Sequence, residues 1–167
     1  MTRLPDVRIC ALVALLCLTP AGAMAQQGTS LDFGGLKTDT TLPVEVTADQ
    51  LTVNQADGMA EFTGSVLVSQ GEMRLEAGAV KVEYGTDGTG IARLVATGGV
   101  VLAAGTDAAE ASSATYTVGT GEVVLEGGVL LTQGQAAISG DKLIISLKTG
   151  LGRMEGRVTT TFTPGGN

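Results

Sequence analysis

The chain contains no histidine and no tryptophan, and its two cysteines, Cys10 and Cys17, both precede residue 26. Beyond that point there is no imidazole base, no thiolate nucleophile and no soft metal ligand, so most routes to catalysis are excluded. No disulfide is available there either, and stability must come from packing. A carboxylate pair would suffice for glycoside hydrolysis, but the acidic residues alternate with apolar ones and are expected to face solvent. The sequence therefore predicts a protein that is not an enzyme and that uses no cofactor or metal.

Aromatic residues make up only 3% of the chain, and beyond residue 25 the prolines are Pro43 and Pro164. Because proline interrupts a strand inside a sheet, its confinement to the two ends leaves the residues between free to form continuous strands. No apolar run in this part approaches the roughly 20 residues of a membrane-spanning helix. Its charged residues, 8 Lys+Arg against 16 Asp+Glu (8 − 16 = −8), lack the basic stripe expected of a nucleic-acid-binding protein.

The first 25 residues have the features of a cleavable secretory signal. Arg3 and Arg8 provide a basic start, residues 9–18 are apolar, and small residues precede the expected cut after Ala25. Residues 26–42 are small and polar without periodicity, and are predicted to be a flexible N-terminal lead-in. The predicted β-domain occupies 43–163, followed by a tail at 164–167. A bacterial signal peptide of this kind points to the periplasm.

Apolar and polar residues alternate through most of the region from residue 44 to residue 146, as in Val80-Lys81-Val82-Glu83-Tyr84. This period of two is typical of antiparallel strands with one buried and one solvated face. A Gly-x-Val motif returns within the pattern, and we expect each copy to be a corner that joins two short strands of one repeated unit. The glycines that begin the four copies are Gly64, Gly98, Gly127 and Gly156.

The second half of the chain repeats the first with an offset of 63 residues (127 − 64 = 63). Gly58 corresponds to Gly121, and Leu75 corresponds to Ile138. A slip of one residue would turn every side chain of a strand to the opposite face, so a repeat that keeps its register should present the same inner face twice.

The segment Gly85–Gly90 contains Asp87-Gly88, which is compatible with a calcium loop or a turn. Calcium-binding repeats need several copies of their motif, and there is one here. Asp-Gly between two alternating segments is typical of a hairpin turn, because the central residues need positive φ. We therefore predict a turn.

The alternation places one apolar set on a common inner face, built mainly from Val, Leu, Ile and Met. Such a face is either a closed core or the lining of a slot for an aliphatic ligand, since branched side chains leave space that aromatic rings would fill. Periodicity is consistent with both. The predicted inner face consists of Phe62, Val66, Val68, Met73, Leu75, Val80, Val82, Leu94, Val100, Leu102, Tyr116, Val118, Val123, Leu125, Val129, Leu131, Ile138, Leu143 and Ile145.

Several short motifs resemble the OstA-like family, and within it the LptA-type periplasmic lipopolysaccharide transport proteins. They are Val46-Thr47-Ala48-Asp49 at the start, Phe62-Thr63-Gly64-Ser65-Val66 at the first corner, Gln70-Gly71 at the following turn and Gly140-Asp141-Lys142-Leu143 near the end. The resemblance covers about residues 43–160. Each motif is short, but their order, spacing and secretory context agree with the family.

The resemblance implies an all-β fold, a twisted and partly open antiparallel β-jelly roll of repeated short strands with an apolar groove. The inner-face residues would then bind lipopolysaccharide acyl chains. The implied partners are lipopolysaccharide, an LptC-like inner-membrane protein, an LptD-like outer-membrane protein and further copies of the chain stacked head to tail, with no nucleic acid. The alternative is a non-catalytic periplasmic or secreted structural β-repeat protein with a closed core.

Four basic residues give the C-terminal end a local excess of positive charge. They would either contact an anionic headgroup or an acidic partner, or lie solvated on strand surfaces. They are Lys142, Lys148, Arg153 and Arg157.

Overall fold

The structure, a computed structural model, describes residues 31–32, 34–54, 58–85 and 90–163. These residues form eleven β-strands and one turn of 3-10 helix at Gly34–Leu36, which confirms the predicted all-β fold class. The strands are β1 (Leu31–Asp32), β2 (Glu45–Thr47), β3 (Gln50–Asn54), β4 (Met59–Gln70), β5 (Met73–Tyr84), β6 (Ile91–Ala104), β7 (Asp107–Thr117), β8 (Glu122–Gln133), β9 (Ala136–Ser146), β10 (Leu151–Glu155) and β11 (Thr159–Phe162).

All eleven strands belong to one antiparallel sheet, which is not closed. Its order is β1-β10-β9-β8-β7-β6-β5-β4-β2, so consecutive strands from β4 to β10 are neighbours. At one side β2 and β3 pair with successive parts of β4, and at the other β10 and β11 pair with successive parts of β9. Within the described residues, β3 and β11 each have one partner strand. The sheet therefore has an open edge on both sides.

The sheet curls around its own inner face. Its 26 buried apolar side chains form one cluster, and the described helical structure is too short to supply a second layer. Tyr116 of β7 donates a hydrogen bond of 2.5 Å to Gln70 of β4, although these strands are not neighbours. The two halves of the sheet therefore meet across the interior, as alternating strands with one apolar face require.

The Gly-x-Val motifs lie inside long strands, which differs from the prediction that they join short ones. The pairing register shifts within β4, β6 and β8 at the first three motifs, between Thr63 and Val66 in the first case. Such β-bulges bend a strand and increase its twist without ending it. The fourth motif begins at Gly156, between β10 and β11, where the two strands that share β9 as partner are separated.

The bulges keep both halves of each long strand facing inward. Strict alternation from Leu75 would turn Val80 outward, yet the register of β5 shifts between Ala77 and Ala79, and Val80 is 0% exposed. Because a shift of one residue moves all following side chains to the other face, these irregularities determine which residues line the interior.

The 63-residue repeat is present in the strand bounds. Adding 63 to the limits of β4, 59 and 70, gives 122 and 133, the limits of β8. The bulge at Thr63 and Val66 likewise corresponds to the one at Glu126 and Val129. The two halves are therefore structural as well as sequence repeats.

Two-residue loops connect β4 to β5, β6 to β7 and β8 to β9. Each begins with a glycine at positive φ, namely Gly71 at 58°, Gly105 at 58° and Gly134 at 56°, a conformation that tight hairpins need. The predicted turn at Gly85–Gly90 lies between paired Tyr84 and Ile91, and Gly85 N donates to Gly90 O; residues 86–89 themselves lie outside the described residues.

The segment before the predicted domain packs against the sheet, which differs from the flexible lead-in expected there. β1 pairs with Leu151 and Gly152 of β10, and Leu36 is 0% exposed. We call residues 34–42 the N-terminal strap. Sequence periodicity did not predict the strap, because the strap contacts the sheet through isolated side chains and backbone atoms and not through a repeating apolar face. The predicted signal peptide at 1–25 and the predicted tail at 164–167 lie outside the described residues.

Candidate lipid-binding interior

The structure brings the predicted inner-face residues together in one interior. Seventeen of the nineteen are buried, and the remaining two, Phe62 and Val118, are partly buried against the same cluster. In the register of the sheet they form cross-strand rows, one of which runs from Val68 through Leu75 to Leu102. Their contact with lipid stays a prediction.

Nine buried apolar residues were absent from the predicted set. Six are alanines, whose short side chain gives little hydrophobic signal, although their alternation with polar neighbours would have found them. Leu36 lies in the strap, and Leu147 and Met154 continue the pattern of the last strands. The alanines are Ala60, Ala77, Ala96, Ala104, Ala109 and Ala114.

The inner face becomes polar at one end, where Gln70 and Asp107 are buried at 1% and 4% exposure. Gln70 Nε2 donates to Thr40 O at 3.0 Å and to Leu42 O at 2.8 Å, while its Oε1 accepts from Tyr116. Gln133 Nε2 donates to Asp107 Oδ2 at 3.1 Å. Burial raises the pKa of the Tyr116 phenol, against the opposing effect of the Gln70 hydrogen bond. These polar groups hold the strap and the sheet together at this end.

At both open edges, apolar side chains of the inner face reach solvent. Leu51 and Val53 of β3 pair with Phe62 and Ala60, and directly opposed residues share a face. Both are exposed, at 53% and 59%. At the opposite edge Phe162 of β11 pairs with Ala136 and is 73% exposed. The apolar surface therefore runs through the interior and emerges at each edge.

Three of the four basic residues near the C-terminus have partners within the protein. Lys142 Nζ lies 3.0 Å from Glu126, and Arg153 lies 2.7 Å from Glu155. Lys148 Nζ donates to Gly119 O at 2.7 Å. Arg157 is exposed. These contacts favour a surface role for the first three residues over a shared headgroup site.

The arrangement provides a continuous apolar interior and offers little for catalysis. Among the described residues, no group of three or more His, Cys, Asp or Glu side chains could hold a metal ion. The same part of the chain has no helix that is both long and apolar enough to span a membrane.

Comparison with known proteins agrees with the geometry. The chain is 35% identical over 68 residues to a protein of Rhizobium meliloti (strain 1021) described as uncharacterized; the match covers 41% of this chain and 37% of that protein. The fold is similar to the crystal structure of LptH from Pseudomonas aeruginosa, described as the LptA-homologous periplasmic component of the lipopolysaccharide transport device. The TM-score is 0.67 at 18% identity, over 75% of this chain and 99% of LptH.

A family model supplies the remaining finding. It is described as the LptA/(LptD N-terminal domain) LPS transport protein, and it matches residues 45–151, from the first residue of β2 to the first residue of β10. This span contains all nineteen predicted inner-face residues and three of the glycine motifs. The predicted family is thereby confirmed, and the chain belongs to the LptA/(LptD N-terminal domain) family of lipopolysaccharide transport proteins.

Proposed function

We propose that this protein carries lipopolysaccharide across the periplasm, shielding the acyl chains in its interior while the sugars stay outside. The observation that carries the proposal is the single apolar surface that lines the interior and emerges at both open edges, at Val53 and at Phe162. A structural protein with a closed core has no need to expose its inner face at two edges.

The energetics of acyl chains favour such a carrier. Burying a CH₂ group is worth about 0.8 kcal/mol, so exposing one twelve-carbon chain to water costs about 8–10 kcal/mol. A lipid with several such chains needs apolar contact along its whole path. An interior of Val, Leu, Ile and Ala side chains provides that contact without hydrogen bonds or ion pairs that a moving ligand would have to break.

The edges also support the proposed bridging role. An unpaired strand presents a row of N–H and C=O groups that an incoming strand can use. Stacking the β3 edge of one copy against the β11 edge of the next would join their inner faces. The chain would then connect an LptC-like inner-membrane protein to an LptD-like outer-membrane protein, with head-to-tail copies between them. The predicted signal peptide and the family support the periplasm as the location of this transport.

Photocrosslinking tests the proposal. p-Benzoylphenylalanine in place of Phe62 or Leu125, both on the inner face, is expected to form adducts with lipopolysaccharide in cells. The same group in place of Val101, which is exposed on the outer face, is the matched control and should form few. No adduct from either inner position would rule out lipid carriage.

The near-complete burial of the inner side chains favours one alternative, a structural β-repeat protein with a closed core. Val68, Leu102 and Leu131 are all 0% exposed. This alternative predicts that Leu125→Ala leaves a cavity that no lipid fills, so that lipopolysaccharide does not raise the unfolding temperature of any variant.

A further inference from the structure

We propose that the N-terminal strap is a gate, which closes one mouth of the apolar interior and must leave for acyl chains to pass. The inference rests on the proposed function, because it concerns how a lipid reaches the interior. It assigns a role to residues 34–42, which lie before the span matched by the family model.

The strap crosses from one part of the sheet to another. Its 3-10 turn contacts β6 and β7. Thr38 N donates to Leu147 O at 3.0 Å, just beyond the end of β9, and Thr38 Oγ1 donates to Gln70 O at 3.1 Å, at the end of β4. β4 and β9 are separated in the sheet by four other strands. The strap therefore ties together regions that strand pairing leaves apart.

The strap also seals the interior at this point. Leu36 is 0% exposed within the apolar cluster, and Gln70 continues the inward-facing series of Val66 and Val68. The Gln70 side chain is covered because Thr40 and Leu42 present their carbonyl oxygens to it. Without the strap, this amide and the adjoining apolar surface would face solvent. The contacts of the strap are therefore those expected of a segment that covers an opening into the apolar interior.

Leu36 is the buried apolar side chain of the strap, which hydrogen bonds otherwise hold in place. Beyond Leu36 it has neither strand nor helix as far as Leu42, and Lys37, Asp39, Thr41 and Leu42 are partly or largely exposed. Segments with few buried apolar contacts open at a small fraction of the global unfolding free energy. The long strands around the interior are joined by backbone ladders, so movement of the strap disturbs fewer backbone hydrogen bonds than movement of those strands.

A redox lock tests the gate. A Cβ atom on Gly35 would lie 2.6 Å from Asp107 Cγ, so the two positions are adjacent, and a disulfide between cysteines there requires a small local shift. No natural cysteine follows residue 25. The full chain carrying Gly35→Cys, Asp107→Cys and p-benzoylphenylalanine in place of Phe62 is oxidised or reduced, mixed with purified lipopolysaccharide and illuminated. Adduct formation should be at least about tenfold slower when the strap is locked, and reductant should restore it.

The matched control is the pair Glu126→Cys and Lys142→Cys, cross-strand neighbours of β8 and β9 on the outer face. Oxidising this pair should leave the rate unchanged. Equal rates of adduct formation by the oxidised and reduced Gly35→Cys, Asp107→Cys protein would overturn the gate. Oxidation that slows the Glu126→Cys, Lys142→Cys control to the same extent would also overturn it. If the parent and the reduced lock both fail to form adducts, the proposed function fails and the gate with it.

A second variant tests the gate from the opposite direction. Gln70→Met keeps the side-chain volume and removes both hydrogen bonds to the strap carbonyls. Because it also removes the acceptor of the Tyr116 hydroxyl, it is made in Tyr116→Phe protein and compared with that protein. It should speed adduct formation and increase hydrogen exchange at the Thr38 amide, which is bonded to Leu147 O. Faster exchange without faster loading would overturn the gate, because the strap would then move without controlling entry.

Discussion

Single residues in the interior show how polar atoms are accommodated in an aliphatic environment. Among the described residues, every buried side-chain nitrogen and oxygen has a hydrogen-bond partner. Gln70 uses both ends of its amide, accepting from Tyr116 and donating to the strap. An unsatisfied group at this depth would cost about 1–3 kcal/mol, so the pairing of Tyr116 with Gln70 is required for stability.

Tyr116→Phe should lower stability at pH 7 by about 1–3 kcal/mol, because Gln70 Oε1 loses its donor. It should also reduce the fall in the free energy of unfolding that the parent shows at alkaline pH. Burial raises the pKa of Tyr116 in the folded protein, so as pH rises through about 10 the unfolded chain ionises first and the parent loses stability. Urea denaturation from pH 7 to pH 11 measures both effects. Tyr84→Phe, at a position 48% exposed, is the control. Parallel profiles for the parent and Tyr116→Phe would contradict the assignment.

At the scale of elements, the bulged strand is the repeated unit. Each glycine motif lets a strand of about a dozen residues bend while both of its halves keep facing inward. At the bulge of β8, Gly127 has φ 89° and Gly128 has φ 69°. A Cβ on Gly127 would lie 2.8 Å from the Ser112 Cβ, whereas one on Gly128 would meet nothing within 4 Å.

These two glycines provide a matched test of the bulge. Gly128→Ala should cost about 1–2 kcal/mol, since an L-residue at positive φ is strained. Gly127→Ala should cost more, because the same strain is joined by a clash with a neighbouring strand that cannot move freely. Chemical denaturation compares the two free energies of unfolding. An equal loss of unfolding free energy in the two variants would mean that the close packing of β7 against the bulge does not restrict the side chain at Gly127.

The whole molecule is a curled sheet with two open edges. Closure would remove the edges and isolate the interior, whereas an open sheet leaves two rows of backbone groups and two exposed ends of the inner face. Leu51 and Val53 lie at one edge and Phe162 at the other. Natural sheets usually protect such edges, so exposed apolar residues there support the proposed association through strand edges.

Val53→Asp should weaken head-to-tail association at least about tenfold, because it places a charge on the inner face at the β3 edge. Folding should be unaffected, since Val53 is 59% exposed. Sedimentation velocity over a range of concentrations measures the association. Val101→Asp, on the outer face away from the edges, should associate as the parent does. The edge model is wrong if the two variants behave alike.

Sequence alone determined the alternation, and with it the antiparallel class, the inward-facing set and the 63-residue repeat, because side-chain direction in a strand is local. The family followed from short motifs around Gly64 and Gln70. Tertiary structure decided the rest. Whether a glycine motif ends a strand or bulges within it depends on the neighbouring strands, which continue past each bulge. The sequence pattern did not predict the strap because Leu36 and Thr38 contact residues about 30 to 110 positions away. Such contacts exist only once the sheet has curled and its distant ends lie side by side.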